Sequence, residues 1–118
     1  MKLLAEVNPE TIKDGRGGIY TFFPTEPIVE FNAIFTRAGR TRGFHFHPEF
    51  IEYVLIMSGH GNYITRQDGV ETCIKMGPGD AIVFMPGVSH TYYAIEDTAM
   101  VAMLTKKWKD CIEPLKRD

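Results

Sequence analysis

GRTRGFHFHPEFIEYVLIMSG, residues 39–59, decides how this chain is read. His45 and His47 are two positions apart, so on a β-strand both point to one face. After Pro48 comes FIEYVLIM, residues 50–57. Alternation puts Phe50, Glu52, Val54 and Ile56 on one side of that strand and Ile51, Tyr53, Leu55 and Met57 on the other. Both faces are apolar, which predicts a strand buried on both sides. A carboxylate at Glu52 in such a place needs a partner or a ligand, because burying it alone is costly.

A second stretch, GDAIVFMPGVSH, residues 79–90, completes the chemistry. The turn-forming run Pro86-Gly87-Val88-Ser89 ends one strand and delivers His90 to the next. Three neutral imidazoles and one carboxylate form a full set of ligands for a divalent transition metal. The ligand set predicted is His45, His47, Glu52 and His90, around one ion: zinc, iron, manganese or nickel. The fourth histidine, His60 in SGHGN, is expected in an exposed turn.

The remaining chain reads as all-β. Strands are expected over residues 3–7, 18–23, 28–36, 44–47, 63–66, 70–76, 81–85, 91–95 and 100–105. Residues 8–18 read as a polar, glycine-rich loop, and Arg37 to Arg42 as a basic turn. Asp68-Gly69 between two strand patterns is a hairpin signal. Short strands separated by frequent turns predict a sandwich or barrel in one domain. The barrel core is expected over residues 18–105, with a tail over 106–118 in which Trp108 forms a short helix or covers a barrel end. Phe31, Phe35, Phe84, Tyr53 and Tyr92 are candidates for lining the interior. Tyr92 stands two residues after His90 and should share its face.

These motifs resemble the cupin superfamily, whose fold is a double-stranded β-helix, or jelly roll. The first cupin motif is a glycine, five residues, His-x-His, three or four residues, a glutamate, six residues and a glycine. Gly39, His45, His47, Glu52 and Gly59 fill every slot. Gly79, Gly87 and His90 fit the second motif, while Met85 stands in its proline slot and Ala94 in its asparagine slot. The resemblance implies one metal inside the barrel, held by His45, His47, Glu52 and His90.

A second likeness is to cupins that epimerise or isomerise nucleotide-linked keto-sugars. Arg42-Gly43-Phe44-His45 is similar to their Arg-Gly-x-His segment, and Asp14-Gly15-Arg16-Gly17 to their Asp-x-Arg-Gly segment. That family often works without metal, moving a proton with a His and a Tyr. The resemblance implies His45, His90 and Tyr92 as catalytic groups. Arg42 and Arg16 would bind an anionic substrate, since a guanidinium captures carboxylate or phosphate through paired hydrogen bonds.

Composition bounds the function. The chain has 118 residues, is 44% hydrophobic and carries a net charge of −2, so bulk charge does not point to nucleic acid. No apolar run is long enough to span a bilayer, and Met1-Lys2-Leu3-Leu4 is not followed by a signal-peptide core. Cys73 and Cys111 are expected as reduced thiols in a cytoplasmic protein. A homodimer is expected, with residues 3–7 able to add to a neighbour's sheet. Three functions fit: a metal-assisted sugar or sugar-nucleotide isomerase or epimerase, an Fe(II)-dependent dioxygenase, or a non-catalytic ligand-binding domain with a structural metal.

Overall fold

The computed structural model describes residues 10–118, so the strand expected over residues 3–7 lies outside the described residues. In chain order the strands are β1 (Glu10–Asp14), β2 (Gly17–Thr21), β3 (Glu30–Thr36), β4 (Thr41–Phe46), β5 (Glu52–Ser58), β6 (Gly61–Gln67), β7 (Val70–Met76), β8 (Ala81–Phe84), β9 (Ser89–Ala94), β10 (Thr98–Leu104) and β11 (Lys116–Arg117). Among the described residues one 3-10 turn spans Trp108–Asp110.

Two antiparallel sheets face each other. One has the order β3-β10-β5-β8 and the other β11-β4-β9-β6-β7, while β1 and β2 form a separate hairpin. Successive strands from β3 to β10 mostly change sheet, which winds the chain into a jelly roll. Asp68 and Gly69 join β6 to β7 with φ of 52° and 77°, the left-handed pair that a two-residue hairpin loop requires.

Both faces of β5 are buried from Tyr53 to Ile56 as the sequence predicts, while Met57 near its end is 43% exposed. Val54 and Ile56 enter the core between the sheets, with Tyr63, Ile82, Phe84, Tyr92, Met100 and Ala102. Tyr53 and Leu55 enter a second cluster with Ala81, Val83 and Met103, against which Tyr20, Phe22 and Ile28 pack. The N-terminal segment therefore covers part of the outer face of the first sheet. Burial of the core side chains, at about 1.5 to 3 kcal/mol for each large apolar group, is what holds the sheets together.

Some expectations are corrected. Phe31 and Phe35 do not line the interior: they are 69% and 72% exposed on the outer side of β3. Ile34 and Thr36, on the opposite side, turn inward, and Ile34 packs on the core. Tyr53 faces the second cluster and its hydroxyl meets Thr25 Oγ1 at 3.0 Å. The polar stretch expected as a loop contains β1, which is held by backbone pairing with β2 rather than by burial. Within the expected tail, β11 pairs with β4 through Lys116↔Phe46 and Arg117↔His45.

Candidate metal centre

A β-bulge aims the first histidine. Along β4 and β9 the partners are Arg42↔Tyr92 and then His45↔His90, so β4 carries one extra residue between them. Gly43 (φ 140°) and Phe44 (φ 57°) supply the left-handed backbone of the bulge. The freed Phe44 N–H donates to Thr91 Oγ1 at 2.8 Å. Only glycine fits at 43, because a Cβ there would stand 2.4 Å from Thr91 Cα. The bulge sets His45 directly opposite His90 on the inward face, their ring centroids 4.9 Å apart.

His47 lies just beyond the end of β4. Its carbonyl accepts Gly87 N–H at 3.0 Å, which ties the His47 segment to the Pro86-Gly87 turn before His90. Its ring stacks on Phe50 at 4.6 Å and meets the edge of Trp108 at 5.8 Å. Glu52 opens β5 opposite Phe84 of β8, and the Phe84 ring lies flat on His90 at 4.0 Å with 12° between planes. Candidate ligand atoms of His45, His47 and His90 lie within 4.8 Å of one another. Glu52 Oε1 stands 3.5 Å from His47 Nε2 and 3.1 Å from His90 Nε2.

Hydrogen bonding on the far side of the rings fixes their tautomers. His47 Nδ1 donates to the Pro114 carbonyl at 2.9 Å and His90 Nδ1 to the Val88 carbonyl at 3.0 Å. A carbonyl oxygen only accepts, so each neutral ring carries its proton on Nδ1 and turns a lone pair on Nε2 toward Glu52. Two lone pairs and a carboxylate oxygen in contact repel unless a proton or a cation sits among them. Ligands bound to one ion at about 2 Å stand roughly 3 to 4 Å apart, and Glu52 Oε1 stands at such distances from both Nε2 atoms. His45 Nδ1 is buried and has no hydrogen-bond partner among the described residues. The donor set therefore fits a divalent transition metal, with His47 and His90 already braced from behind.

In the absence of an ion, a proton on an imidazole Nε2 takes its place beside Glu52. Burial pushes Glu52 up, but hydrogen bonds and charge from His47 and His90 outweigh it and hold the carboxyl at about 2. Burial pushes His47 down, yet Glu52 carries it to a net rise, whereas burial and the neighbouring His90 keep His45 below its ordinary value. Burial, with the Glu52 charge, raises Tyr63 well above the usual tyrosine range, so it stays a neutral phenol.

The structure brings His45, His47, Glu52 and His90 together. It does not bring Arg16 to them. Asp14-Gly15-Arg16 is the tip of the β1-β2 hairpin, where the Asp14 carboxylate accepts both the Arg16 backbone N–H at 2.8 Å and Nη2 at 2.7 Å. Arg42 shares the His45 face by register, but its side chain turns to β3, donating from Nε to Thr36 Oγ1 at 2.9 Å and from Nη2 to the Phe35 carbonyl at 2.8 Å. Tyr92 shares the inward face with His90, with its hydroxyl 2.9 Å from Thr98 Oγ1. Tyr63 lies between them, its ring 4.9 Å from Tyr92 and 6.3 Å from His90, and its hydroxyl donates to Met100 Sδ at 3.4 Å. Sequence reasoning missed Tyr63. The signal was the alternation in GNYIT once its register against β9 is known. His60 is exposed as expected and pairs with Glu96.

The family profile described as Cupin domain matches residues 35–105, more than half of the chain. This chain belongs to the cupin family. The matched span carries all four candidate ligands. No curated protein matches the sequence. Among solved structures, a 3,4-ketoisomerase from Helicobacter canadensis is similar at a TM-score of 0.80 and 15% identity, covering 95% of this chain and 88% of that one. The dTDP-6-deoxy-D-glucose-3,5-epimerase of Legionella pneumophila, bound to dTDP-4-keto-L-rhamnose, is similar at a TM-score of 0.73 and 18% identity, over 92% of this chain and 69% of that one. A 3′-monoepimerase from Streptomyces bikiniensis with dTDP-quinovose gives a TM-score of 0.74 and 20% identity, over 93% of this chain and 77% of that one. At these identities the likeness shows the jelly-roll fold. Among the described residues, no helix is long and apolar enough to cross a membrane.

Proposed function

We propose that this cupin binds one divalent transition metal through His45, His47, Glu52 and His90, and isomerises or epimerises a sugar or sugar nucleotide beside it. The observation that carries the metal reading is the convergence of the His47 and His90 Nε2 atoms on Glu52 Oε1, with both Nδ1 atoms already committed to backbone carbonyls. When bound, the ion would act as a Lewis acid toward a carbonyl or hydroxyl oxygen. Phe84, Phe50 and Trp108 pack apolar surface around the imidazoles and exclude water from them. The sugar reading is supported by the isomerase and epimerase structures of the same fold and by the Arg-Gly-x-His segment at Arg42. Arg42 is exposed; Thr36 and the Phe35 carbonyl hold its Nε and one Nη2 hydrogen, and the remaining guanidinium donors are assigned to an anionic group of the substrate. Burial raises both Tyr63 and Tyr92, so each stays a neutral phenol beside the site.

One observation favours a second reading. His45 is the least buried of the three imidazoles, its neutral form is favoured, and its Nδ1 has no partner. In a metal-free site it would serve as the proton acceptor, with Glu52 holding His47 and His90 in place.

Elemental analysis of untagged protein purified without chelator tests the metal. About one equivalent of zinc, nickel, manganese or iron is expected; no metal and no thermal shift on adding any defeats the reading. Iron together with oxygen uptake would instead favour a dioxygenase. Turnover is tested by deuterium uptake from D2O into dTDP-4-keto-L-rhamnose, followed by NMR. A rate equal to the protein-free control defeats the isomerase reading while leaving the metal reading intact.

A further inference from the structure

We propose that the segment from Lys106 to Asp118 is a strap whose closure and metal occupancy are coupled, with the Pro114 carbonyl as the positioning group for His47; this rests on the metal reading above. Most fastenings of the strap lie beside a candidate ligand. The Trp108 ring packs on His47 and Phe50, and its backbone N–H donates to Glu30 Oε1 at 3.0 Å. Glu49, two residues past His47, accepts from Lys106 Nζ at 2.9 Å and from the Glu113 N–H. Pro114 then accepts the His47 Nδ1–H, and Lys116 and Arg117 pair with Phe46 and His45 of β4. Arg117 Nη1 reaches the Gly43 carbonyl at 3.0 Å, on the bulge that aims His45, and Asp118 accepts from Ser89, the neighbour of His90.

Little else holds the strap down. Ile112 is 96% exposed, Trp108 is 42% exposed, and the 3-10 turn contains no buried residue. Such a segment sits at the low end of local stability, so its open and closed forms differ by little free energy. When it opens, His47 loses the acceptor that fixes its tautomer and ring orientation, and its Nε2 is no longer directed at Glu52. A metal that needs His47 in that orientation prefers the closed form. By linkage, the closed strap must then tighten metal binding by the same factor. Loss of such a supporting hydrogen bond behind a ligand typically weakens metal affinity by about 10- to 100-fold.

The test uses zinc. Its affinity is measured by competition with a chromophoric chelator for the full chain, for a chain lacking residues 112–118 and for Glu49→Ala. Glu49→Ala releases two fastenings without shortening the chain and serves if the truncation does not fold. Trp108, the single tryptophan, remains in all three as a fluorescence reporter. Affinity should fall about 10- to 100-fold on truncation and by a smaller factor in Glu49→Ala. In the full chain, zinc should slow trypsin cleavage after Lys107 and Lys109 by a comparable factor and change Trp108 emission. In His90→Ala it should do neither. Parental zinc affinity in both strap variants, or cleavage indifferent to zinc, overturns the coupling and leaves the metal site standing. A full chain that binds no zinc overturns both.

Discussion

Gly43→Ala is the sharpest test of how the site is built, because one methyl group separates the bulge from a regular strand. The new Cβ would lie 2.4 Å from Thr91 Cα and 2.5 Å from the His90 carbonyl oxygen, both backbone atoms of β9. Ordinary contact begins at 3.4 Å, so β4 and β9 must part by about 1 Å at the bulge. A φ of 140° adds strain for any residue with a side chain, of order 1 to 3 kcal/mol. Overpacking of this kind costs roughly another 1 to 3 kcal/mol. The sum, about 2 to 6 kcal/mol, is a large part of the 5 to 15 kcal/mol that stabilises a typical domain. Relief by flattening the bulge is no escape, since it would shift the register of His45 against His90 and swing one ligand off the inward face. Urea unfolding followed by circular dichroism should show the midpoint falling by roughly 1 M or more, at a slope of about 1 to 3 kcal/mol per molar. Zinc affinity of the folded fraction should drop at least tenfold. Gly15→Ala is the control: nothing lies within 4 Å of its Cβ, and the midpoint should move by no more than the equivalent of about 0.5 kcal/mol. An unchanged midpoint and unchanged zinc affinity in Gly43→Ala would refute the reasoning.

Other expectations follow from the same geometry. His47→Ala should lower metal content and thermal stability together, because an ion that binds only the folded state adds about 4 kcal/mol at a thousandfold excess over Kd; unchanged stoichiometry by elemental analysis would remove His47 from the ligand set. Phe84→Ala deletes a fully buried ring stacked on His90 and should cost about 3 to 5 kcal/mol, read as a melting point lower by roughly 10 to 20 °C; a loss below 1 kcal/mol would contradict the packing. Arg42→Ala should spare metal binding but weaken the binding of dTDP measured by calorimetry, and equal affinity in mutant and parent would take Arg42 out of the site.

Much of the site was legible because it is written in local spacing. His45 and His47 are kept near one another by the chain itself, and Glu52 opens a strand whose two apolar faces announce its burial. The Asp68-Gly69 turn was legible for the same reason, since its left-handed backbone depends on those two residues alone. Reading failed where neighbours in space replace neighbours in sequence. Hydrophobicity would place Phe31 and Phe35 inside and Asn32 outside, yet the inward side of β3 carries Ile34 and Thr36, with Glu30 holding the strap. The strap had no periodicity to read, because β11 is fixed by backbone hydrogen bonds that any two residues can make.

The sequence by itself determined the spacing of His45, His47, Glu52 and His90, the all-β character and the double-sided burial of β5, because residue type, period and turn chemistry act over a few positions. Only the tertiary structure decided which ring nitrogens face Glu52, which tyrosine stands next to His90, and that Arg16 and Arg42 bond elsewhere. Those outcomes depend on strand register, on a bulge of one residue and on a carbonyl delivered 67 residues along the chain from His47. A β-sheet pairs segments by position in space, and that pairing is fixed by the packing of the whole domain rather than by any stretch within it.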